Sequence, residues 1–559
     1  MGSISNSKTL FGFTSPRTIE KSIPELKLLV DEYSGQIWER NPSLHKDFFL
    51  KLFHSDIYEG KKLPDDIAFA GRDRITRAIK SYGFVDLKPT IELTEAGKEL
   101  LTTTRPYESF LRQMLKFQLP SIYHIDKNNN FNVKPYLELI RLIYILDGLS
   151  KTELSLFFLQ LRNYGQFDNI VEKIYNFRKN AKKFKGSRKT YVNSCFDQEI
   201  SEIFSEEIAS KNFKTRESAE ISFKNFVKTK KGTMLDYGDA FMRHLRATNI
   251  ISFEKRTLRL IINKSKIKDV EFLLDSIDRD AKDFKSEKDF KEYLFSATNL
   301  ELFSDNKNRL VQKLEVLGEK ASVGDYSINE LKDKIEIIEE KIHKENLLKT
   351  QTKLKTYEEF DDIIDIFDKI KNRDVPDAPL FLEWNIWRAL VMINYSKWVE
   401  GNFISDLDGI PINTAGGNKA DIEAEYDTFG LITEVTMSSG NRQYEMEGEP
   451  VSRHFGKFKA ELGKETYCLF IAPKISEGTL AHYFNLNKMN TKMYGGKTKI
   501  IPLNIDQFIH FISVAKDKKF NNSSTFQKWM EDICQYNQGC EDEEDWSRYI
   551  GNSINSWVA

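Results

Sequence analysis

The residues in this chain best placed to do chemistry lie in one short stretch. It reads Asn418-Lys-Ala-Asp421-Ile-Glu423-Ala-Glu425-Tyr426, then Asp427–Gly430, then Leu431-Ile-Thr-Glu434-Val-Thr436. Both flanks are strand-like, and Asp427–Gly430 is turn-like. A tight turn there sets Asp421 opposite Thr436 and Glu423 opposite Glu434, provided no bulge intervenes. All four side chains then share one face, with Ile422, Ala424 and Tyr426 on the other. Carboxylates crowded on one face repel unless a positive charge sits among them. Oxygen donors with open positions suit Mg²⁺, and Mn²⁺ as a substitute. Such an ion polarises a phosphate and activates water. The same pattern also describes the solvated outer face of an ordinary hairpin.

Two further acids are placed by helices. Glu447 falls early in a helix running to about Leu462, with His454 seven residues on and on the same side. Glu383 opens the helix Trp384–Val399, where by itself it reads as a first-turn charge. His454 by itself reads as a hydrogen-bonded surface histidine. The loop Ser438-Ser-Gly-Asn441 is small enough to let a nucleic-acid backbone come close.

The elements that must present a substrate to this region lie in the N-terminal half. Arg72–Tyr82 predicts an amphipathic helix with Ile75, Ala78, Ile79 and Tyr82 on one face and Arg74, Arg77 and Lys80 on another. Gly83 can end it in a left-handed cap. A hairpin around Lys88-Pro89 and a helix capped by Thr94 follow. Helix, basic stripe and hairpin together predict a winged-helix reader, whose arginines can contact bases in the major groove. Asp236–Asn249, exposing Arg243, His244 and Arg246, predicts a second, followed by a hairpin of Ile250–Phe253 and Thr257–Ile262. Residues 171–190 hold eight Lys/Arg against one Glu, including Lys182, Lys183, Lys185, Arg188 and Lys189, and suit DNA phosphates. Each of these also reads as an ordinary charged surface.

The bulk figures fit a folded, multidomain chain of 559 residues, 40% hydrophobic and 30% charged, with a formal net charge of -1. Cys195, Cys468, Cys534 and Cys540 form no CxxC pair, which argues against zinc. No apolar run is long enough for a membrane span, so a cytoplasmic setting is expected. The reading is multidomain α+β. Residues 1–125 and 126–285 form the two recognition subdomains. Residues 286–375 form a helical linker, with Leu331, Ile335, Ile338 and Ile342 in one stripe. Residues 376–559 form an α/β cleavage domain.

At the acid stretch, Asp421 with Glu434-Val-Thr436 resembles the PD-(D/E)xK nuclease core. The longer string Ala415-Gly-Gly-Asn418, Asp421-Ile-Glu423, Thr433-Glu434-Val-Thr436 and Met446-Glu447-Gly-Glu449-Pro450-Val-Ser-Arg453-His454 resembles the AlwI family of type IIS restriction endonucleases. Arg72-Asp-Arg74, Leu93-Thr-Glu-Ala-Gly-Lys98, Glu383-Trp384 and Tyr467-Cys-Leu-Phe-Ile-Ala-Pro473 extend the resemblance over nearly the whole chain. It implies winged-helix recognition of double-stranded DNA at a short asymmetric site, GAGTC-like by preference, with Mg²⁺-dependent cutting a few bases outside it. It implies Glu383, Asp421, Glu434 and Glu447 as catalytic and metal-binding acids, with His454 beside them. It also implies a prokaryotic cytoplasm, a cognate methyltransferase, and a transient homodimer or second catalytic subunit for the other strand. Strand-specific nicking and an inactive DNA-binding regulator are the alternatives. Two departures stand out: Ala420 replaces the proline before the first Asp, and Thr436 replaces the catalytic lysine.

Overall fold

The computed structural model describes all residues except 1, 17, 56–57, 59–61, 320–323, 325, 407–408, 415–418 and 559. The Ala415–Asn418 part of the sequence motif therefore lies outside the described residues. The chain divides into two compact units, Met1–Glu336 and Ile337–Ala559.

In the first unit, helix α1 (Ile67–Arg74) starts at Asp66, whose side chain caps the Phe69 N–H, and runs on through one π turn at Ile75–Ile79. Ile75, Ala78, Ile79 and Tyr82 are buried, as their spacing predicts. Gly83 follows at φ +82°, which an L side chain rarely adopts. Strands β1 (Val85–Asp86) and β2 (Glu92–Leu93) pair antiparallel. Thr94 then caps α2 (Glu95–Thr102) through the Gly97 N–H. The expected order of helix, hairpin and helix is thus present.

Further along come α3 (Pro135–Ile145), α4 (Phe167–Lys183) and α5 (Arg188–Ile203). Helix α6 spans Phe223–Arg246 and starts well before the expected Asp236, because Ser222 caps it at the Asn225 N–H. Its hairpin, β3 (Ile251–Phe253) with β4 (Leu260–Ile262), lies where the sequence places it. Helix α7 (Ile328–Leu354) buries Leu331 and Ile335, the first half of the predicted stripe.

A buried polar cluster joins three of these pieces. The Tyr82 hydroxyl lies 2.6 Å from the Tyr136 hydroxyl and 2.8 Å from His244 Nδ1. Burial holds the His244 imidazole down at about 4.

The second unit is built on a mixed five-stranded sheet in the order β9–β8–β7–β6–β5. The strands are β5 (Trp398–Gly401), β6 (Ile422–Glu425), β7 (Phe429–Val435), β8 (Glu465–Ala472) and β9 (Ile500–Asn504). Helix α8 (Ala378–Ile393) precedes them and is buried from Leu380 to Ile393. β5, β6 and β7 are antiparallel neighbours, while β7, β8 and β9 run parallel. Parallel strands need crossovers. These are α9 (Asn441–Leu462) between β7 and β8, and α10 (Glu477–Lys488) between β8 and β9. β8 is buried from Thr466 to Ala472, as a covered central strand must be.

The β6–β7 register corrects the sequence reading. Ile422 faces Thr433, Glu423 faces Ile432 and Glu425 faces Gly430, which carries Asp421 opposite Glu434. The turn is Asp427-Thr428, not the four residues Asp427–Gly430. The rings of Tyr426 and Phe429 stack across it at 4.4 Å, and Lys464 Nζ donates to the Tyr426 and Asp427 carbonyls. Moving a turn centre by one residue slides the register by two, so facial parity survives. Asp421 and Glu434 still share a face, now as direct partners.

Candidate active site

Glu434 is the penultimate residue of β7 and is 5% exposed. Its Oε1 lies 2.8 Å from His454 Nδ1 on α9. Asp421 sits just before β6, and its Oδ2 accepts the Val435 N–H at 2.7 Å. Glu383 lies in the second turn of α8, 8% exposed, rather than opening the helix. Glu447 is half-buried in the second turn of α9.

The electrostatics tie these acids together. Burial pushes the Asp421 carboxyl well up, and Glu434 and Glu447 push it further. Glu383 is raised by burial first, then by Asp421, Asp377, Glu434 and Glu447. Glu434 is raised by burial and by Glu447 and Glu423, with Arg453 offsetting a little. Burial and the neighbouring Arg453 hold His454 below the usual histidine value. Four acids brought together from α8, β6, β7 and α9 thus resist being charged at once.

Glu425 shares the strand but not the cluster. Lys464 binds it at 2.6 Å, with Trp398 Nε1 and Lys397 also in contact, and these bonds lower it to about 2. Thr436 is buried, and its Oγ1 accepts the Ser438 N–H, so it carries no positive charge into the site.

Among the described residues, no three acidic, His or Cys side chains are arranged so that they could hold a metal ion as they stand. The donor chemistry nevertheless suits a hard divalent cation: carboxylate oxygens, buried, crowded and mutually repelling. In chemistry the donor set fits such an ion.

The expected DNA-contacting residues divide into two groups. Arg72, Lys182, Lys183, Lys185, Arg188 and Lys189 are exposed. The rest are half-buried or buried in the fold. Arg74 pairs with Glu25, itself 1% exposed. Arg77 bonds Asp73 and Thr14. Lys80 lies over the Tyr123 ring at 4.4 Å, and burial lowers its pKa. Arg243 bonds Asp239 at 2.8 Å. His244 is fully buried and Arg246 is 5% exposed, against the expectation that both face solvent. Glu25, Thr14 and Tyr123 lie far away in the chain, so helical spacing carried no sign of them, whereas Asp73 and Asp239 stand one turn before Arg77 and Arg243.

Sequence reasoning also passed over Gln443 and Tyr483, both buried beside Glu447. Neither carries charge or stands in a motif, so no signal marked them.

The mixed sheet gathers these acids at the junction of its antiparallel and parallel halves. Residues 81–511 match the model of the AlwI restriction endonuclease family, and the chain belongs to that family. It is accordingly a restriction endonuclease, a DNA-cleaving hydrolase.

Two solved structures are similar to parts of the chain. One is the small subunit of the heterodimeric restriction endonuclease R.BspD6I. It is 26% identical, with a TM-score of 0.30, over 34% of this chain and 98% of that one. The other is the BpuJ1 endonuclease binding domain in complex with pyrene- and phenanthrene-modified DNA. It is 12% identical, with a TM-score of 0.34, over 52% of this chain and 96% of that one. No curated protein matches the chain. No helix among the described residues is long and apolar enough to cross a membrane.

Proposed function

We propose that this protein is a type IIS restriction endonuclease that hydrolyses double-stranded DNA a few bases outside a short asymmetric site, using Mg²⁺. The observation that carries the reading is the convergence of Glu383, Asp421, Glu434 and Glu447, each of the first three held above its ordinary pKa partly by the others. Asp421, Glu434 and Glu447 would hold the cation, with Glu383 at its side. A bound Mg²⁺ would polarise the scissile phosphate and acidify a water.

The chain's own groups supply the rest. Charge from the cation would return the raised acids to carboxylates and order them. Neutral His454, anchored at Nδ1 by Glu434, presents Nε2 as the atom that takes the proton of the attacking water. That assignment answers the absence of a lysine at Thr436. Arg72 and the exposed basic residues at the α4–α5 junction would hold DNA phosphates. Arg74, Arg77, Lys80, Arg243 and Arg246 would instead shape the surface that reads the bases. By resemblance, a GAGTC-like target is favoured.

One acid cluster cuts one strand at a time, so a double-strand break takes a second copy, a partner subunit or repositioning of the same site. Supercoiled plasmid incubated with Mg²⁺ should become linear or open-circular, and sequencing the new ends gives target, offset and strand. Accumulation of open circles alone at high enzyme marks a nickase. Glu434→Gln should lower the rate by at least about 100-fold. Cleavage by that variant at the wild-type rate would remove the acid cluster from the reaction.

A further inference from the structure

We infer that Gln443 and Tyr483 are positioning residues for Glu447, clamping its helical turn against the strands that carry the other acids. The inference rests on the acid-site reading above.

Gln443 and Glu447 are four residues apart on α9, so they lie on one side of the helix, one turn apart. Gln443 is fully buried and makes three hydrogen bonds that reach outside its helix. Its Nε2 donates to the Ser438 and Lys474 carbonyls, each at 2.9 Å, and its Oε1 accepts the Ser476 N–H at 2.8 Å. Ser438 belongs to the loop leaving β7, four residues after Glu434. Lys474 and Ser476 belong to the loop leaving β8. One amide therefore fixes the start of α9 to the ends of both strands.

Tyr483 acts from the other side. It is fully buried on α10, and its hydroxyl donates to the Glu447 backbone carbonyl at 3.1 Å. The turn it grips contains Pro450, which has no N–H to give the helix ladder. Bonds from outside the helix therefore count for more at this turn. The Ser452 hydroxyl, donating to the Gly448 carbonyl at 2.9 Å, supports the same turn from within. Glu447 thus stands on a piece of helix held by α10 and by two strand ends, which sets its approach to Asp421 and Glu434. Groups that orient metal-binding side chains in this way typically matter by about 10–100-fold in affinity or rate.

The test uses the full chain with Tyr483→Phe, which removes one oxygen and keeps the ring, and with Gln443→Met. Cleavage kinetics and the rise in Tm on adding Mg²⁺ are measured for each, alone and combined with Glu447→Gln. Tyr483→Phe should lower kcat by about tenfold, leave KM for DNA within about twofold, and weaken the Mg²⁺-induced rise in Tm. In the Glu447→Gln background the same change should have no further effect. Wild-type kcat and a wild-type Mg²⁺ response in Tyr483→Phe, beside an inactive Glu447→Gln, would overturn the inference alone. A Tyr483→Phe effect that persists undiminished in the Glu447→Gln background would do the same. Unimpaired cleavage by Glu447→Gln would instead overturn the site assignment, and this inference with it. Gln443→Met leaves three buried polar groups without their partner and can fail to fold, so Tyr483→Phe is the deciding variant.

Discussion

Neutralising Asp421 should stabilise the protein when no metal is present, while it abolishes cleavage. Asp421 faces Glu434 directly across the β6–β7 pair. Side chains so placed have β-carbons about 5 Å apart. Two charges at that distance repel by about 3 kcal/mol at an effective dielectric constant of about 20. Burial of both adds to the cost of ionising them. Asn is the right probe because its Oδ1 can still accept the Val435 N–H.

The sign with pH follows from the direction of the shift. A carboxyl raised on folding binds its proton more tightly in the native state, so stability falls as pH rises above its unfolded value of about 4. Asp421→Asn escapes this loss, and its advantage should grow from near nothing at about pH 4 and below to about 1–3 kcal/mol near pH 8. For a unit of this size each kcal/mol moves Tm by about 2–4 °C. In EDTA near pH 8 the variant should therefore melt about 2–12 °C above wild type by calorimetry. Mg²⁺ should raise wild-type Tm and move the variant much less. A variant less stable than wild type in EDTA near pH 8, a gap unchanged by pH, or equal Mg²⁺ shifts in both would refute the reasoning.

Other outcomes follow from the first unit. Replacing Lys182, Lys183, Lys185 and Lys189 with Ala should weaken specific and non-specific DNA binding alike. It should also reduce the slope of log K against log salt by about 0.9 for each phosphate no longer neutralised, as fluorescence titration at several salt concentrations can read. Arg74→Ala should cost about 3–5 kcal/mol in chemical denaturation, because it strands the buried Glu25 carboxylate. A fully stable variant with lost sequence preference would return Arg74 to the DNA surface. His244, held at about 4 by burial, binds fewer protons folded than unfolded. Its contribution is complete above about pH 6.5 and falls away as pH drops towards about 4, by about 3 kcal/mol. His244→Asn should flatten that part of the stability curve measured by urea unfolding.

The parts of this molecule that were legible in its sequence are those governed by short-range rules. Strand alternation placed Asp421 and Glu434 on one face even though the turn was misplaced, because the error shifted the register by an even number of residues. Caps at Thr94 and the glycine at 83 marked the first hairpin correctly. What was not legible depends on contacts across long stretches of chain. Arg74 looks like a free cation on a helix face until Glu25, far upstream, is folded against it. Arg246 and His244 lie on the face their spacing assigns to solvent, yet that face is covered. Glu383 looks like an end-of-helix charge because Pro379 suggests a break. The helix in fact begins at Ala378 with the proline in its first turn, where proline is well tolerated. Gln443 and Tyr483 are ordinary residues whose importance is purely positional.

The buried cluster of Tyr82, Tyr136 and His244 has a direction. Burial keeps His244 neutral, so its Nδ1 offers either a lone pair or an N–H, never both. Tyr82, in the middle, has one proton to give, so it donates to one neighbour and receives from the other, in a one-way relay. The three positions are therefore unequal. Loss of the Tyr136 hydroxyl removes only one end of the relay and leaves the bond between Tyr82 and His244 intact. Loss of the Tyr82 hydroxyl breaks the middle and leaves a donor and an acceptor stranded in the core on either side of it.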